Sequence, residues 1–437
     1  MTSHTSTARR AAARSPAPSA AAPDESSGYL PIAGYGIIGN LRTAALVGVS
    51  GSVDWCCFPD LDGPSVFAAI LDTRRGGRFR VRAAGVERGT QRYLPETNVL
   101  ETTFAAAGGR LRVTDFMPLA GSLIHPAEHY PAAAIVRVVE CVEGTVEAEV
   151  EWSPRFDYAR ARPRIIAHNG AWRAAAGPDR MTLRGLPVAG AVERDADGGP
   201  VVRARFPLAA GERVVLDTRF GGETERDAPG SPREEGERAL RETVAAWEGW
   251  SRTRERPDGD VFAGEWREQL LRAALVLKLL THRHTGAIVA APTTSLPEEI
   301  GGVRNWDYRY TWLRDASFTA QALFALGHRS EAVDFIRWLV HVSRAKGEAG
   351  MALRIMYRLH GETDVLEVEL PHLEGYRGSR PVRIGNAAAG QRQLDIYGEL
   401  LGATYEVLRH GAHIDPSVWR FLSALADRVC DEWCLPD

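Results

Sequence analysis

The residues best suited to chemistry lie in one polar and aromatic stretch, Asn305–Asp315. Its eleven residues include two tryptophans, two tyrosines, two arginines and two aspartates. Aromatic rings can stack on the C–H faces of a sugar, while charged side chains hydrogen-bond its hydroxyl groups. The same composition is typical of a structural loop that Arg–Asp ion pairs hold together. The residues alone leave both interpretations open.

Glutamates before and after this stretch are candidates for acid–base chemistry, beginning with the adjacent pair Glu298 and Glu299. Glu298 comes shortly before it, Glu367 and Glu369 alternate as in a strand, and Glu374 precedes a glycine-containing loop. We interpret each as a loop or surface charge, and Glu298 as a residue that helps to shape a pocket.

Charge and hydropathy argue against several classes of partner. The net charge of -3 gives no reason to expect nucleic acid or an anionic membrane surface as a partner. No apolar run approaches the ~20 residues that a membrane span needs. We therefore expect no nucleic-acid and no membrane partner, and we expect a cytoplasmic protein. Whether the chain forms a homo-oligomer stays open.

The cysteines do not indicate a disulfide framework or a metal site. There are five, an odd and scattered set: Cys56, Cys57, Cys141, Cys430 and Cys434. Cys430 and Cys434 are four residues apart, but no histidine or further cysteine stands at zinc-finger spacing from them. We expect both to be core cysteines, and we expect neither a metal ion nor a cofactor.

The predicted secondary structure that must position Asn305–Asp315 changes along the chain, from a tail to strands and then to helices. Residues 1–27 lack periodicity and predict a disordered tail. Short β-prone runs then alternate with turn residues, which predicts an antiparallel β-sandwich over residues 28–230. Ala45–Val49 and Val53–Trp55 flank Ser50-Gly51 and predict a hairpin. The further predicted strands are Asn98–Phe104, Leu111–Phe116, Ile135–Cys141, Thr145–Trp152, Val201–Phe206 and Val214–Phe220.

Helical periodicity begins at Ser231, where Ser231-Pro232-Arg233-Glu234 has the pattern of a capping box. We predict a linker helix over residues 231–256 and helices from residue 257 onward. Five apolar faces predict these helices: Trp266, Leu270, Ala273, Leu277 and Leu280; Phe318, Ala322 and Leu326, ended by Gly327; Val333, Ile336 and Val340; Leu394, Tyr397, Leu401, Tyr405 and Leu408, ended by Gly411; and Val418, Leu422, Leu425 and Val429 after Asp415-Pro416.

Several runs resemble glycoside hydrolase family 15, the family of glucoamylases and bacterial trehalases. Four runs resemble the trehalase-like N-terminal domain of bacterial members: Tyr35–Asn40, Thr43–Val47, Gly51–Trp55 and Pro64–Ala68. Five further runs resemble the catalytic domain of the family: Ala291–Glu298, Gly301–Asp315, Gly375–Ser379, Arg383–Asn386 and Gln393–Glu399. These runs together cover most of the chain from Tyr29 onward.

The resemblance implies a multidomain fold: an N-terminal β-sandwich, a linker helix and an (α/α)6 toroid that is incomplete here, over residues 257–437. It implies a carbohydrate partner and removal of glucose, with inversion, from the non-reducing end of α-glucosides. By the same resemblance Asp315 accepts hydrogen bonds from sugar hydroxyls, Arg314 donates to them, and Tyr308 and Trp312 wall the pocket. The further substrate-binding residues that it implies are Arg383, Asn386 and Asp395, with Gln393 as a weaker match.

Inverting hydrolysis needs two carboxylates about 6.5–9.5 Å apart, one acting as acid and one as base. The resemblance implies an acid in a Trp-Glu motif soon after the fifth helix and a base further on. We therefore expect a C-terminally truncated chain, with both glutamates after residue 437 and no catalytic residue assigned. Trehalose and α-glucan oligosaccharides both stay open as substrates, with the N-terminal motif favouring trehalose. The alternative is a catalytically inactive carbohydrate-binding remnant.

Overall fold

The computed structural model describes residues 28–123, 131–221, 231–253, 264–344, 353–409 and 416–436. The predicted tail, together with Gly411 and Asp415, lies outside the described residues.

A fifteen-stranded antiparallel sheet makes up the first half of the described chain. The predicted hairpin is present, and Gly51 takes a φ of +72° at its turn. The strands are β1 (Tyr35–Gly39), β2 (Ala44–Gly48), β3 (Ser52–Cys57), β4 (Ser65–Phe67), β5 (Arg78–Ala83), β6 (Thr90–Tyr93), β7 (Leu100–Ala106), β8 (Gly109–Phe116), β9 (Ala134–Ser153), β10 (Arg164–His168), β11 (Ala171–Ala176), β12 (Asp179–Arg184), β13 (Ala191–Arg194), β14 (Pro200–Ala209) and β15 (Arg213–Phe220).

The sheet has two portions, and strand β9 takes part in both of them. Sequence predicts two strands here, but the structure has one strand of 20 residues. Its first half pairs with β8 and β15, and its second half pairs with β5 and β14. Side chains from both portions, such as Val139 and Trp152, lie in one hydrophobic core.

Each predicted helix is present. They are α2 (Pro232–Arg252), which is the predicted linker helix, α3 (Arg267–Leu279), α4 (Leu313–Ala325), α5 (Arg329–Arg344), α6 (Asp395–Arg409) and α7 (Pro416–Glu432); a four-residue turn, α1 (Phe156–Ala159), precedes them. The structure therefore has a large antiparallel sheet first and helices after it. Ser231 stands at the N-cap of α2 but makes no side-chain capping hydrogen bond, so the predicted capping box is not formed.

Three predicted helix faces are wrong in part, because each includes one exposed aromatic residue; Tyr405 of α6 is 61% exposed. Trp266 is 63% exposed and Phe318 is 49% exposed. Helix α3 instead buries Ala274, Leu275, Lys278 and Leu279. Lys278 is buried because it forms an ion pair with Glu331 of α5, a partner that periodicity does not reveal.

The predicted burial of Cys430 and Cys434 is also wrong, since both are exposed near the end of α7. Cys56 and Cys57 are buried in different hydrophobic clusters, as expected for neighbours on a strand.

The sheet and the helices share hydrophobic cores. Leu41 and Leu61, from loops of the sheet region, pack with the helices in one cluster. Trp55 packs with Leu373 and Tyr376 in another. Across the described ranges, no helix has the length and hydropathy needed to cross a membrane. The segment Asn305–Asp315 follows α3 in the chain and runs into the first turn of α4.

Candidate functional site

Burial alternates along the first part of the Asn305–Asp315 stretch. Asn305, Asp307 and Arg309 are buried, whereas Trp306 and Tyr308 between them are partly exposed. The stretch therefore has an inner face and an outer face, as an extended segment does. The structural-loop interpretation applies to the inner face, and the outer face can meet a ligand.

A buried ion pair between Asp307 and Arg309 holds the inner face together. The Oδ2 atom of Asp307 lies 2.6 Å from Nη2 of Arg309, and Oδ1 lies 2.9 Å from Nε. Both side chains are fully buried. Burial alone would lower the pKa of Arg309, but the negative charge of Asp307 raises it well above its ordinary value. Arg309 is therefore charged inside the protein, and its two hydrogen bonds fix it to Asp307.

Asp307 also joins the stretch to the later loop around Gly385. Its Oδ2 atom accepts hydrogen bonds from the Gly385 amide at 3.1 Å and from the Tyr310 hydroxyl at 3.2 Å. Its carbonyl oxygen accepts a bond from Nδ2 of Asn386 at 3.1 Å. One buried carboxylate therefore organises two loops at the site.

Arg314 is the centre of the outer cluster. Its Nη1 atom donates to Oδ2 of Asp395 at 3.0 Å, and its Nη2 atom lies 3.5 Å from Oδ2 of Asp315. Asp315 lies in the first turn of α4, and Asp395 is the first residue of α6. The side chains of Arg314 and Asp315 are 37% and 43% exposed. The cluster thus brings a cation and two carboxylates together within reach of solvent.

Two aromatic rings stand beside Arg314. The ring centroids of Tyr308 and Trp312 are 6.0 Å apart, and the guanidinium carbon of Arg314 is 5.4 Å from the Trp312 ring. Trp312 is 8% exposed. Within the described part of the chain, its buried Nε1 atom has no hydrogen-bond partner. A buried donor without an acceptor is costly, so a ligand hydroxyl that accepts from it would be favoured.

Burial raises the pKa of Asp315, which the charge of Arg314 opposes and the charge of Asp395 reinforces. Burial also raises the pKa of the Tyr308 phenol. A partly desolvated carboxylate gains most from hydrogen bonds that favour its charged form. The cluster can therefore accept hydrogen bonds from hydroxyl groups at Asp315 while Arg314 keeps its position fixed.

Arg383 and Asn386 make their contacts within the protein. Arg383 donates to the Val303 carbonyl at 2.9 Å and forms an ion pair with Glu367 at 3.2 Å. Its guanidinium carbon lies 4.6 Å from the Trp306 ring. Asn386 is 4% exposed, and both ends of its amide bond to main-chain groups. The structure thus brings Tyr308, Trp312, Arg314, Asp315 and Asp395 together, and it uses Arg383 and Asn386 to hold the adjacent loops.

Four of the glutamates considered as acid–base candidates have partners in the structure. Glu298 lies 2.9 Å from Arg304, and Glu367 and Glu369 lie 3.2 and 3.9 Å from Arg383. Glu374 accepts a hydrogen bond from Tyr29. Their interpretation as loop charges agrees with these contacts.

Sequence reasoning considered a loop held by Arg–Asp ion pairs but did not assign the pair to Asp307 and Arg309. The signal that could have revealed it is the alternation of polar and aromatic residues from Asn305 to Thr311, which has the period of an extended chain.

A separate cavity of about 420 Å³ lies between α3 and α5. Lys278, His282, Glu331 and His360 are among the residues that line it, and none of the predicted site residues does. We therefore assign the candidate site to the Arg314 cluster and not to this cavity.

Two family models match the chain. The model described as "Trehalase-like, N-terminal" matches residues 27–246. The model described as "Glycosyl hydrolases family 15" matches residues 264–437, which include the whole Arg314 cluster.

The chain is also similar to curated trehalases. It is 38% identical to a trehalase of Mycolicibacterium smegmatis over 439 aligned residues, which cover 97% of this chain and 64% of that protein. It is 35% identical to a trehalase of Mycobacterium tuberculosis, over 94% of this chain and 61% of that protein. The chain therefore spans less than two-thirds of the length of these relatives.

Among solved structures, a bacterial glucoamylase complexed with acarbose resembles this fold with a TM-score of 0.59. The likeness covers 91% of this chain and 58% of that one, at 13% sequence identity. At that identity the likeness concerns the fold alone.

Proposed function

This chain belongs to the glycosyl hydrolases of family 15, and we propose that it takes part in the hydrolysis of α-glucosidic bonds, with trehalose as the substrate. The trehalase-like N-terminal match and the similarity to two mycobacterial trehalases support trehalose over maltooligosaccharides. The proposed bond cleavage occurs at the non-reducing glucose and inverts its anomeric configuration.

We propose that the chain is divided after a tail, 1–27, into a β-sandwich domain, 28–230, a linker helix, 231–256, and a helical domain, 257–437. The last strand of the large sheet, β15, ends at Phe220 and α2 begins at Pro232, which supports the boundary between the sandwich and the linker helix. The shared core of the two sheet portions supports a sandwich. Helices α3 to α7 would belong to an (α/α)6 toroid, and the fold likeness to a glucoamylase supports this.

One observation carries the proposal: Arg314 lies between Asp315 and Asp395, beside the Trp312 indole N–H, which has no hydrogen-bond partner among the residues that the structure describes. A glucose unit has adjacent hydroxyls that both donate and accept. Asp315 would accept from them, and Arg314 and Trp312 would donate to them. The rings of Tyr308 and Trp312 would pack on the C–H face of the sugar.

The cluster binds and orients the sugar in this proposal, and it does not supply the acid or the base. Inversion needs two carboxylates about 6.5–9.5 Å apart, with a water between the base and the anomeric carbon. Arg314 holds both Asp315 and Asp395, so we assign them to binding. Arg383 and Asn386 would act on the sugar through the loops that they hold.

Sugar binding by the purified chain tests this assignment. We expect Arg314→Ala and Asp315→Ala to weaken binding of trehalose and glucose by roughly tenfold to a hundredfold, because each removes a charge-assisted hydrogen bond. Titration calorimetry or saturation-transfer NMR measures the affinity. NMR of the released anomer follows hydrolysis, and β-glucose indicates inversion.

Arg203→Ala is the matched control, because Arg203 pairs with Glu193 on the exposed side of β14. Wild-type affinity in both Arg314→Ala and Asp315→Ala would disprove the assigned site. Sugar binding without glucose release would favour the alternative of a carbohydrate-binding protein.

A further inference from the structure

The sheet region contacts the candidate site through one buried arginine. Arg309 donates from Nη1 to the Gly63 carbonyl at 2.6 Å and to Sγ of Cys57 at 3.4 Å. It donates from Nη2 to the Tyr158 hydroxyl at 2.9 Å. Gly63 follows β3, and Tyr158 lies in the α1 turn after β9. Three separate points of the sheet region therefore fix this guanidinium.

The same guanidinium binds Asp307 through two of its nitrogen atoms. Asp307 in turn holds Tyr310 and the amide of Gly385. Only two residues separate Arg309 from Trp312, and β16 (Thr311–Trp312) pairs with β17 (Met356–Tyr357). A displacement of Arg309 would thus be passed to the ring of Trp312 and to the loop after β18 (Arg383–Ile384).

The turn that carries Tyr158 is held in an unusual conformation. Asp157, Tyr158 and Ala159 have φ values of 50°, 56° and 63°, in the left-handed region that non-glycine residues seldom adopt. Contacts around Tyr158 compensate for this. Its hydroxyl donates to the Gly63 carbonyl at 3.2 Å, and its carbonyl oxygen lies 2.8 Å from Nε2 of His372. Three successive residues in a disfavoured conformation indicate that the placement of this ring matters.

We propose that Tyr158 and Arg309 are positioning residues, through which the N-terminal sheet sets the geometry of the Arg314 cluster. They touch no sugar; they act through Asp307 on Trp312 and on the Gly385 loop. The inference rests on the proposed function for its consequence in sugar binding, but its structural consequence at Trp312 is independent of any ligand.

Tyr158→Phe is the test, because it removes the hydroxyl and keeps the buried ring. We expect the indole ¹H–¹⁵N resonance of Trp312, assigned with Trp312→Phe, to shift in the folded variant. We also expect trehalose binding to weaken by roughly threefold to tenfold, the effect of one lost hydrogen bond. Circular dichroism and the thermal midpoint verify that the variant is folded.

Tyr93→Phe is the matched control. Its hydroxyl bonds to the main chain of Ile37, and Arg272 of α3 lies 4.0 Å from its ring, so it has the same chemistry at another contact between sheet and helices. This variant should leave the Trp312 resonance and sugar affinity unchanged.

A folded Tyr158→Phe variant with an unshifted Trp312 resonance would overturn the inference. If that variant does not fold, Cys57→Ala is read in the same way, since it removes a smaller contact to Arg309. Failure of the proposed function has a different signature: Arg314→Ala would not alter sugar affinity, whereas the Trp312 resonance would still respond to Tyr158→Phe.

Discussion

Arg309 and Arg314 are five residues apart, and their surroundings give the same side chain two different roles. Arg309 is fully buried, and its donors bond to main-chain and side-chain acceptors of the protein. Arg314 is 37% exposed and lies between two carboxylates at the ends of two helices. A planar guanidinium suits both situations, because its fixed donors match several acceptors at once. Burial decides which arginine organises the site and which can meet a ligand.

A buried histidine makes stability depend on acidity. Burial lowers the pKa of His282 from 6.5 to about 3, and the positive charges of protonated His360 and His284 and of Arg42 act in the same direction. The unfolded chain therefore binds this proton below about pH 6.5, whereas the native chain does not until about pH 3. The contribution of His282 to the free energy of unfolding is therefore fully present above pH 6.5 and is lost as the pH falls toward 3.

We expect His282→Gln to reduce the pH dependence of the free energy of unfolding between pH 6.5 and 5, by up to about 1.4 kcal/mol per pH unit. Urea unfolding at several pH values measures it. This range avoids Glu331, whose pKa of about 2 affects stability only below about pH 4.5. His168→Gln, at an exposed position of β10, is the control. An unchanged slope in His282→Gln would contradict the assignment.

The family resemblance named the candidate site residues and their roles in binding sugar, and those roles stay predictions. Tyr308, Trp312, Arg314 and Asp315 gather as the family resemblance implies. The division of the stretch into two faces was not predicted, because it depends on Gly63 and Tyr158, far away in the chain. Long-range partners of this kind leave no local signal in the sequence.

At the scale of elements, one buried ion pair connects three helices. Nζ of Lys278 on α3 lies 2.8 Å from Oε1 of Glu331 on α5, and Nε1 of Trp250 on α2 donates to the same oxygen at 2.7 Å. Burial alone would raise the pKa of Glu331, but the charge of Lys278 and these hydrogen bonds lower it to about 2. The charge of Glu331 is therefore retained in the interior.

Lys278→Met should destabilise the fold by about 3–5 kcal/mol, because it leaves the charge of Glu331 buried and unpaired. The double variant Lys278→Met/Glu331→Gln should recover most of that loss, since glutamine still accepts from Trp250. Denaturant midpoints of the single and double variants measure the coupling. Arg110→Ala, in an exposed pair with Glu143, should change stability by less than about 1 kcal/mol. A double variant as unstable as Lys278→Met would refute this account.

Helices were easier to predict than strands or helix faces. Apolar periodicity predicted each of the helices α2 to α7, but it assigned Trp266 to the buried face of α3 and overlooked Lys278. Lys278 can lie on the buried face because Glu331, a partner on another helix, pairs with its charge. Strands β10 to β12 were missed because their residues are mostly polar, small or charged. Pairing stabilises them, since β12 pairs with β15, β11 with β12 and β10 with β11, and the contact with β15 is not local.

At the scale of the whole molecule, contacts between sheet and helices are distributed along the boundary. Nε1 of Trp55 donates to the Pro292 carbonyl at 2.8 Å, and Nδ2 of Asn98 donates to the Leu275 carbonyl at 3.0 Å. Arg358 pairs with the buried Asp62 at 3.1 Å. Together with the shared hydrophobic clusters, these contacts couple the stability of the two parts.

We therefore expect the sheet and the helices to unfold in a single transition. Leu339→Ala in α5 and Leu111→Ala in β8 each open a cavity at a fully buried position and should cost about 2–5 kcal/mol. Because the parts are coupled, each variant should lower the midpoint of both regions equally. Calorimetry combined with hydrogen exchange of β8 and α5 amides measures this. If Leu339→Ala weakened protection in α5 but left β8 unchanged, the two parts would be independent, and the sheet could not transmit its geometry to the Arg314 cluster through Arg309.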